Sequence, residues 1–184
     1  MWKWAVSAVV AAVAVGSALA QPSDFDRGIN TMWEVLWHQA GTPTRLVRWE
    51  KDLRVHVHGV NAGAHKAQTL KALREVAAEA GVKLTDVSDR PDAAALANVS
   101  IEIVPNDRMA EDQPCETRLN YQTEAAIESV TMQMRDSDAR RCAFHEAMHV
   151  MGVRGHPEGD TVLRYFSAPI DALKPLDRAI LRGW

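Results

Sequence analysis

Residues 142–156 read CAFHEAMHVMGVRGH and hold three of the seven histidines in the chain. His145 and His149 are four residues apart, a spacing that places two side chains on the same face of a helix. Glu146 lies beside the first of them, and the helical pattern ends at Gly152. The stretch therefore predicts a helix that presents two imidazoles at metal-binding distance. The competing interpretation is an ordinary polar helix face that is rich in histidine.

An H-E-x-x-H pattern has a specific chemical use. The two imidazoles bind Zn²⁺, an open position on the ion is left for water, and the pKa of that water falls toward ~7, where a neighbouring glutamate acts as general base. A catalytic zinc needs a third protein ligand. Because Gly152 lets the chain turn back, we predict that His156 is this ligand, with Asp160 as the substitute if His156 points away.

The same segment resembles the H-E-x-x-H-x-x-G-x-x-H motif of the metzincin zinc metallopeptidases. The match is direct from His145 to Gly152, whereas the motif would place its last histidine one residue before His156. The resemblance implies a zincin-like fold with an active-site helix. It also implies hydrolysis of peptide bonds by zinc-activated water, with Glu146 as the general base.

A second resemblance concerns the tight Met-turn that lies beneath the metal in metzincins. The stretch DTVLRYF at 160–166 looks like that turn, with Leu163 in the place of the methionine and Tyr165 in the place of a tyrosine that often follows. By this resemblance, Tyr165 either ligates the metal or donates a hydrogen bond to the oxyanion as the carbonyl is attacked.

Two further stretches, LVRWEKDLRVHVHG and LKPLDRAILR, resemble an uncharacterised family of exported bacterial metzincin-like domains. In that family reading, the strand predicted at 97–105 would be the sheet edge along which an extended peptide substrate pairs.

Hydrophobic periodicity predicts an α+β fold, with a small mixed sheet covered by helices. One strand carries His56 and His58 on the same face, which is either the wetter side of the strand or a metal-binding pair. Residues 126–134 favour a strand, although TEAAIES could also begin a helix.

The active-site helix is expected to begin near Asp138. The predicted elements are helices at 25–38, 64–80 and 138–152, strands at 52–60, 97–105 and 126–134, a surface loop at 106–117, and a cap at Asp136 or Ser137.

The first twenty residues have the pattern of a secretory signal peptide, with Lys3, an apolar run and small residues before Gln21. An uncleaved anchor is the alternative. Removing residues 1–20 from the 184-residue chain leaves 164 residues, which suits one domain at 21–184. The resemblance implies that this domain is a zincin-like metallopeptidase domain. No later stretch is apolar enough to cross a membrane. We therefore expect a periplasmic or secreted bacterial protein.

Charge and cysteine content narrow the partners. The chain has 21 basic and 24 acidic residues, and the basic ones are interspersed with acids, which argues against nucleic acid. Cys115 and Cys142 are its two cysteines, and in an oxidising compartment they are most simply one disulfide, the alternative being two unpaired buried thiols. Zn²⁺ is the one expected cofactor, a peptide or protein the substrate, and a monomer the expected state.

Two functions of different classes fit these patterns. The first is an exported zinc metalloendopeptidase. The second is a non-catalytic zinc-containing binding module of the cell envelope. Glu146 favours the enzyme, because a structural metal site has no use for a carboxylate beside its first ligand.

Overall fold

The computed structural model describes residues 23, 26, 46–121, 125–157, 159–164 and 170–184. The predicted signal peptide, the predicted helix at 25–38 apart from Asp26, and Tyr165 lie outside these residues. The strands are β1 (Arg48–Trp49), β2 (Leu53–Gly59), β3 (Leu84–Asp86), β4 (Val99–Val104), β5 (Cys115–Tyr121) and β6 (Ala126–Arg135), and the helices are α1 (Ala62–Glu79), α2 (Ala93–Leu96), α3 (Ala139–Val150) and α4 (Pro175–Gly183).

The architecture is α+β, with a mostly parallel sheet flanked by helices. The strands follow the order β1-β6-β4-β2-β3, all in parallel pairs, and β5 adds to β6 in the antiparallel direction. Alternate residues of β2, such as Leu53 and Val55, are buried, while Arg54 on the opposite face is exposed. This period-two pattern is what a strand shows when helices cover one face of its sheet.

Strand β4 lies in the middle of the sheet, so the prediction of a peptide-binding edge at 97–105 is wrong. It pairs with β2 on one side and with β6 on the other. Alternation of apolar residues indicates a strand with one covered face, but it does not distinguish a central strand from an edge. The strand that borders α3 at an edge is β5 instead.

Strand β5 begins inside the stretch that was predicted to be a loop. The loop prediction holds from 106 to 114, but residues 115–117 belong to the strand. The segment Cys115–Tyr121 is polar and none of its residues is fully buried. An edge strand with one neighbour has little apolar surface to bury, so its sequence resembles a loop.

Helix α3 begins at Ala139, next to the predicted start near Asp138, but its cap differs from the prediction of Asp136 or Ser137. Asp138 occupies the N-cap position without a side-chain capping bond, and residues 136–138 form a 3₁₀ turn. Asp136 accepts hydrogen bonds from Asn61 and from His65. Its carboxylate therefore joins the turn before α3 to the start of α1 rather than capping α3.

The predicted disulfide between Cys115 and Cys142 is confirmed, with the two Cα atoms 6.1 Å apart. It joins the first residue of β5 to the first turn of α3. Neither of these two cysteines is therefore a free thiol. Among the residues that the structure describes, no helix has the length and apolar character needed to cross a bilayer.

Gly152 ends α3 in a conformation that only glycine adopts without strain. Its φ is +101°, and a Cβ atom built on it would lie 2.6 Å from the carbonyl oxygen of Val47 and 3.3 Å from a methyl carbon of Ile127. Both the backbone angle and the close approach therefore require glycine. This turn changes the direction of the chain three residues after the second histidine of the motif.

We expect Gly152→Ala to lower the free energy of unfolding by at least ~2 kcal/mol, because it combines a positive φ with a backbone clash. Gly63→Ala is the matched control, since a Cβ at Gly63 in α1 meets nothing within 4 Å. That change should leave stability equal or raise it by up to ~1 kcal/mol. Urea denaturation of the two variants measures both effects, and equal stabilities would contradict the strain at Gly152.

We expect reduction of the disulfide to lower the free energy of unfolding by about 3 kcal/mol, because the bond closes a loop between residues 27 apart in sequence. Thermal unfolding with and without a phosphine reductant measures the loss. Thiol titration of the denatured, unreduced chain should find no free thiol. Detection of two thiols would contradict the pairing.

Candidate metal centre and cleft

One face of α3 collects the side chains of the motif. Cys142, His145, Glu146 and His149 follow one another at helical spacing and point toward β5 and the cleft beside it. His145 is 7 % exposed and Glu146 is 3 % exposed. Polar side chains this deeply buried must find hydrogen-bond partners, and the structure supplies them.

Backbone carbonyl groups orient the two imidazoles of the helix. The Nδ1 atom of His145 lies 3.0 Å from the carbonyl oxygen of Val162, and Nδ1 of His149 lies 2.6 Å from that of Val153. A carbonyl oxygen can only accept, so each Nδ1 carries the proton that it donates. The Nε2 atom of each neutral ring is therefore unprotonated and can act as an acceptor or a metal ligand.

The Nε2 atoms converge. The Nε2 of His145 lies 3.2 Å from that of His149 and 3.1 Å from that of His156. Two nitrogens bound to one zinc at tetrahedral geometry are ~3.3 Å apart, given zinc–nitrogen bonds of 2.0–2.1 Å. The three histidines form the metal-capable group among the residues described, with ligand atoms within 4.8 Å of one another.

Burial keeps these imidazoles neutral. It lowers the pKa of His145 to about 3, helped by repulsion from the two neighbouring histidines, and it lowers the pKa of His156 to about 4. The pKa of His149 is also lowered by burial. Neutral imidazole is the form that binds a metal ion, so the cluster does not have to lose protons near neutral pH.

Glu146 lies beside this cluster with its two carboxylate oxygens in different surroundings. Oε2 accepts a hydrogen bond of 2.7 Å from the hydroxyl group of Thr117, and Oε1 lies 4.0 Å from Nε2 of His145. Burial raises the pKa of the carboxyl group to about 7, while the Thr117 hydrogen bond acts in the opposite direction. A carboxyl group poised near neutral pH is suited to exchange a proton with a reacting water.

A buried aspartate on α4 holds the segment that orients His145. Asp177 is 0 % exposed and accepts hydrogen bonds from the hydroxyl of Thr161, from the N–H of Val162 at 3.1 Å and from the N–H of Lys174 at 2.8 Å. Burial raises the pKa of its carboxyl group, and these donors oppose that effect. Asp177 thereby holds Val162 through its N–H, and the carbonyl oxygen of the same residue accepts the hydrogen bond of His145.

The cluster opens into a cleft of about 970 Å³. One wall is the alternate residues of β5, namely Cys115, Thr117, Leu119 and Tyr121, and the opposite wall is α3 with the chain that follows it. Arg154 stacks on the Tyr121 ring, with 5.2 Å from its guanidinium carbon to the ring centroid. The cleft is large enough for several residues of an extended peptide.

The structure brings together most, but not all, of the residues singled out in the sequence. The rings of His145, His149 and His156 meet, despite the extra residue before His156. Asp160 is exposed and faces Lys174 at 3.6 Å, so it does not take the place of His156. Leu163 is fully buried.

The H-x-H pair on β2 lies apart from this cluster. The rings of His56 and His58 stack on each other at 4.6 Å, and Nε2 of His58 lies 3.0 Å from the hydroxyl of Ser100. Their half-buried positions fit the interpretation of a wetter strand face.

Two residues of the site were not found from the sequence. Thr117 lay in the stretch read as a loop, although the alternation of Cys115, Thr117 and Leu119 could have indicated one strand face. Asp177 follows Pro175 at the third position of a helix, where an acid usually caps the helix from the surface. Its neighbours Ala179, Ile180 and Leu181 are buried, and that apolar run was the available signal.

Comparison with known proteins gives a family but no described activity. No curated protein matches the chain. A family model described as "Protein of unknown function (DUF2927)" matches residues 29–155, which include His145, Glu146 and His149 and end one residue before His156. Because this match extends over more than half of the sequence, the chain belongs to the DUF2927 family.

Proposed function

We propose that the protein is an exported zinc-dependent metallopeptidase of metzincin type. His145, His149 and His156 hold the zinc ion, and Glu146 is the general base for attack of water on a peptide carbonyl. The observation that carries this proposal is the convergence of three imidazole Nε2 atoms beside a buried carboxylate at the floor of a cleft.

The case for a cation rests on electrostatics. His145 and His149 each use Nδ1–H on a backbone carbonyl, so their Nε2 lone pairs face each other at 3.2 Å with no proton to share. Two acceptors at that distance repel each other. A positive ion between them converts the repulsion into two bonds, and three histidines with one open position are the ligand set of catalytic zinc.

Zinc bound there supplies Lewis-acid chemistry, which makes water more acidic and polarises a carbonyl group. The chain contributes the remaining parts. Glu146 takes the proton of the attacking water on Oε1, the oxygen nearer the imidazoles, and then delivers it to the leaving amine. The walls formed by β5 and α3 keep bulk water from the carboxylate.

Substrate binding follows from the position of β5. Among the described strands it pairs with β6 alone, and its residues Thr117 and Leu119 line the cleft. An extended peptide that adds to the edge of β5 left open by the described strands places its backbone across the three histidines. This edge takes the role that the sequence had suggested for 97–105.

Two other parts of the proposal rest on sequence. Tyr165 follows the described segment 159–164 and is proposed to donate a hydrogen bond to the oxyanion. Export through the signal peptide is supported by the disulfide between Cys115 and Cys142, because such bonds persist in oxidising compartments. A zinc-containing binding module without turnover remains the alternative outcome of the experiments below.

We expect the purified protein to bind about one zinc ion per chain and to lose it on substitution His149→Ala, because that change removes a central ligand. Zinc should raise the melting temperature, since a ligand at a hundredfold excess over its dissociation constant stabilises by about 2.7 kcal/mol. Metal analysis by mass spectrometry and thermal unfolding with a chelator measure both effects.

The control for this experiment is His56→Ala on the wetter face of β2, which should keep full zinc occupancy. If His149→Ala also kept full occupancy, the proposed metal centre would be refuted.

We expect Glu146→Gln to keep the zinc but to lower the rate of peptide cleavage by roughly 10²- to 10⁴-fold, because it removes the general base. Cleavage of an unbiased peptide library, with and without a chelator, provides the assay. The matched control is Glu128→Gln, which lies on the exposed side of β6 and outside the cleft lining. Cleavage at an unchanged rate by the Glu146 variant would exclude Glu146 from the mechanism, and wild-type protein that binds zinc without cleaving any peptide would favour the binding module.

A further inference from the structure

Strand β5 and helix α3 are joined by two successive side-chain links. The first is the disulfide between Cys115 and Cys142, and the second is the hydrogen bond from Thr117 to Glu146. Two residues along a strand advance about 6.6 Å, and four residues along a helix advance about 6 Å. The two links therefore fit one relative position of strand and helix, with both chains running in the same direction.

The hydrogen bond from Thr117 gives the two oxygens of the Glu146 carboxylate different roles. Its Oε2 receives the Thr117 hydroxyl at 2.7 Å, which leaves Oε1 as the oxygen that faces His145 at 4.0 Å. Glu146 is 3 % exposed, so solvent offers few competing donors that could turn it. Without the hydroxyl group, the carboxylate would be free to rotate, and neither oxygen would have a fixed task.

We propose that Thr117 is a positioning residue for Glu146, and that the Cys115–Cys142 disulfide keeps β5 in the register that Thr117 requires. This inference rests on the proposed function, because positioning matters for catalysis only if Glu146 is the base. The hydroxyl stays on Oε2 throughout the reaction. The proton from the attacking water is bound and released at Oε1, so Thr117 itself neither gains nor loses a proton.

The variants that test this proposal are Thr117→Val, which keeps the shape and removes the hydroxyl, and Thr117→Ser, which keeps the hydroxyl and removes a methyl group. Thr131→Val on the neighbouring strand is the control, because Thr131 is exposed and outside the cleft lining. We expect all three variants to bind one zinc ion. Thr117→Val should lower kcat by on the order of ten- to a hundredfold with little change in KM, the loss expected for a hydrogen bond to a charged group.

Rescue by the conservative variant separates positioning from packing. Thr117→Ser keeps the hydroxyl group that binds Glu146, and Thr131→Val changes only an exposed side chain. Both variants should therefore retain kcat within about twofold of the wild type. Wild-type kcat in Thr117→Val overturns the proposal. Equal losses in Thr117→Val and Thr117→Ser also overturn it, because they would assign the effect to the lost methyl group.

A spectroscopic readout makes the test independent of turnover. With Co²⁺ in place of zinc, the visible absorption spectrum should change in Thr117→Val, because a displaced carboxylate alters the surroundings of the ion, and should be unchanged in Thr117→Ser. If the wild type cleaves no peptide, the proposed function fails, whereas the cobalt spectra still decide whether Thr117 positions Glu146. Identical spectra for all variants overturn the positioning role.

A double-mutant cycle between the disulfide and Thr117 tests the contribution of the disulfide. The double variant Cys115→Ala with Cys142→Ala should lower kcat in the wild-type background but should have a smaller effect in the Thr117→Val background, because the same hydrogen bond is lost in both. Equal effects in the two backgrounds would overturn the disulfide part of the proposal. If the double variant does not fold, reduction of the folded disulfide in the two backgrounds gives the same comparison.

Discussion

Two hydrogen bonds from imidazole to backbone carbonyl groups govern the organisation of the centre. The proton on Nδ1 of His145 is committed to Val162, and that of His149 is committed to Val153. Each ring is thereby held in one tautomer with its other nitrogen aimed at the same point. The surrounding fold can be understood as the structure needed to hold those two carbonyl groups in place.

Each carbonyl group depends on a different part of the fold. Val153 follows the Gly152 turn, which fits against Val47 only because glycine has no side chain. Val162 is held through its N–H by Asp177 on α4. The sheet, α3 and α4 therefore each contribute one fixed element, and burial of the whole assembly keeps the rings neutral.

The parts of this arrangement that depend on local spacing could be predicted from the sequence. The four-residue step from His145 to His149, the glycine that ends α3 and the cysteine pair are all local or compositional signals, and the structure follows them. The parts that depend on long-range pairing could not be predicted from the sequence. The edge position of 97–105 is what the family resemblance implies, and alternation cannot correct it because it does not report the neighbours of a strand. The strand that contains Thr117 has the polar composition of a loop because it lies at an edge. The apolar run from Ala179 to Leu181 indicates that α4 packs against the fold, but it does not show that Asp177 accepts a hydrogen bond from a peptide group 15 residues earlier.

The dependence of Val162 on Asp177 has a consequence for the order of assembly. Contacts between distant segments form only after both segments are available and the intervening loop has closed. During synthesis the histidines emerge first, then the carbonyl that fixes one of them, and the aspartate that fixes this carbonyl comes last. A chain that has not yet folded its final helix would therefore contain all three imidazoles without holding them in fixed positions. The three imidazoles would reach their fixed positions only after the last helix, α4, has folded.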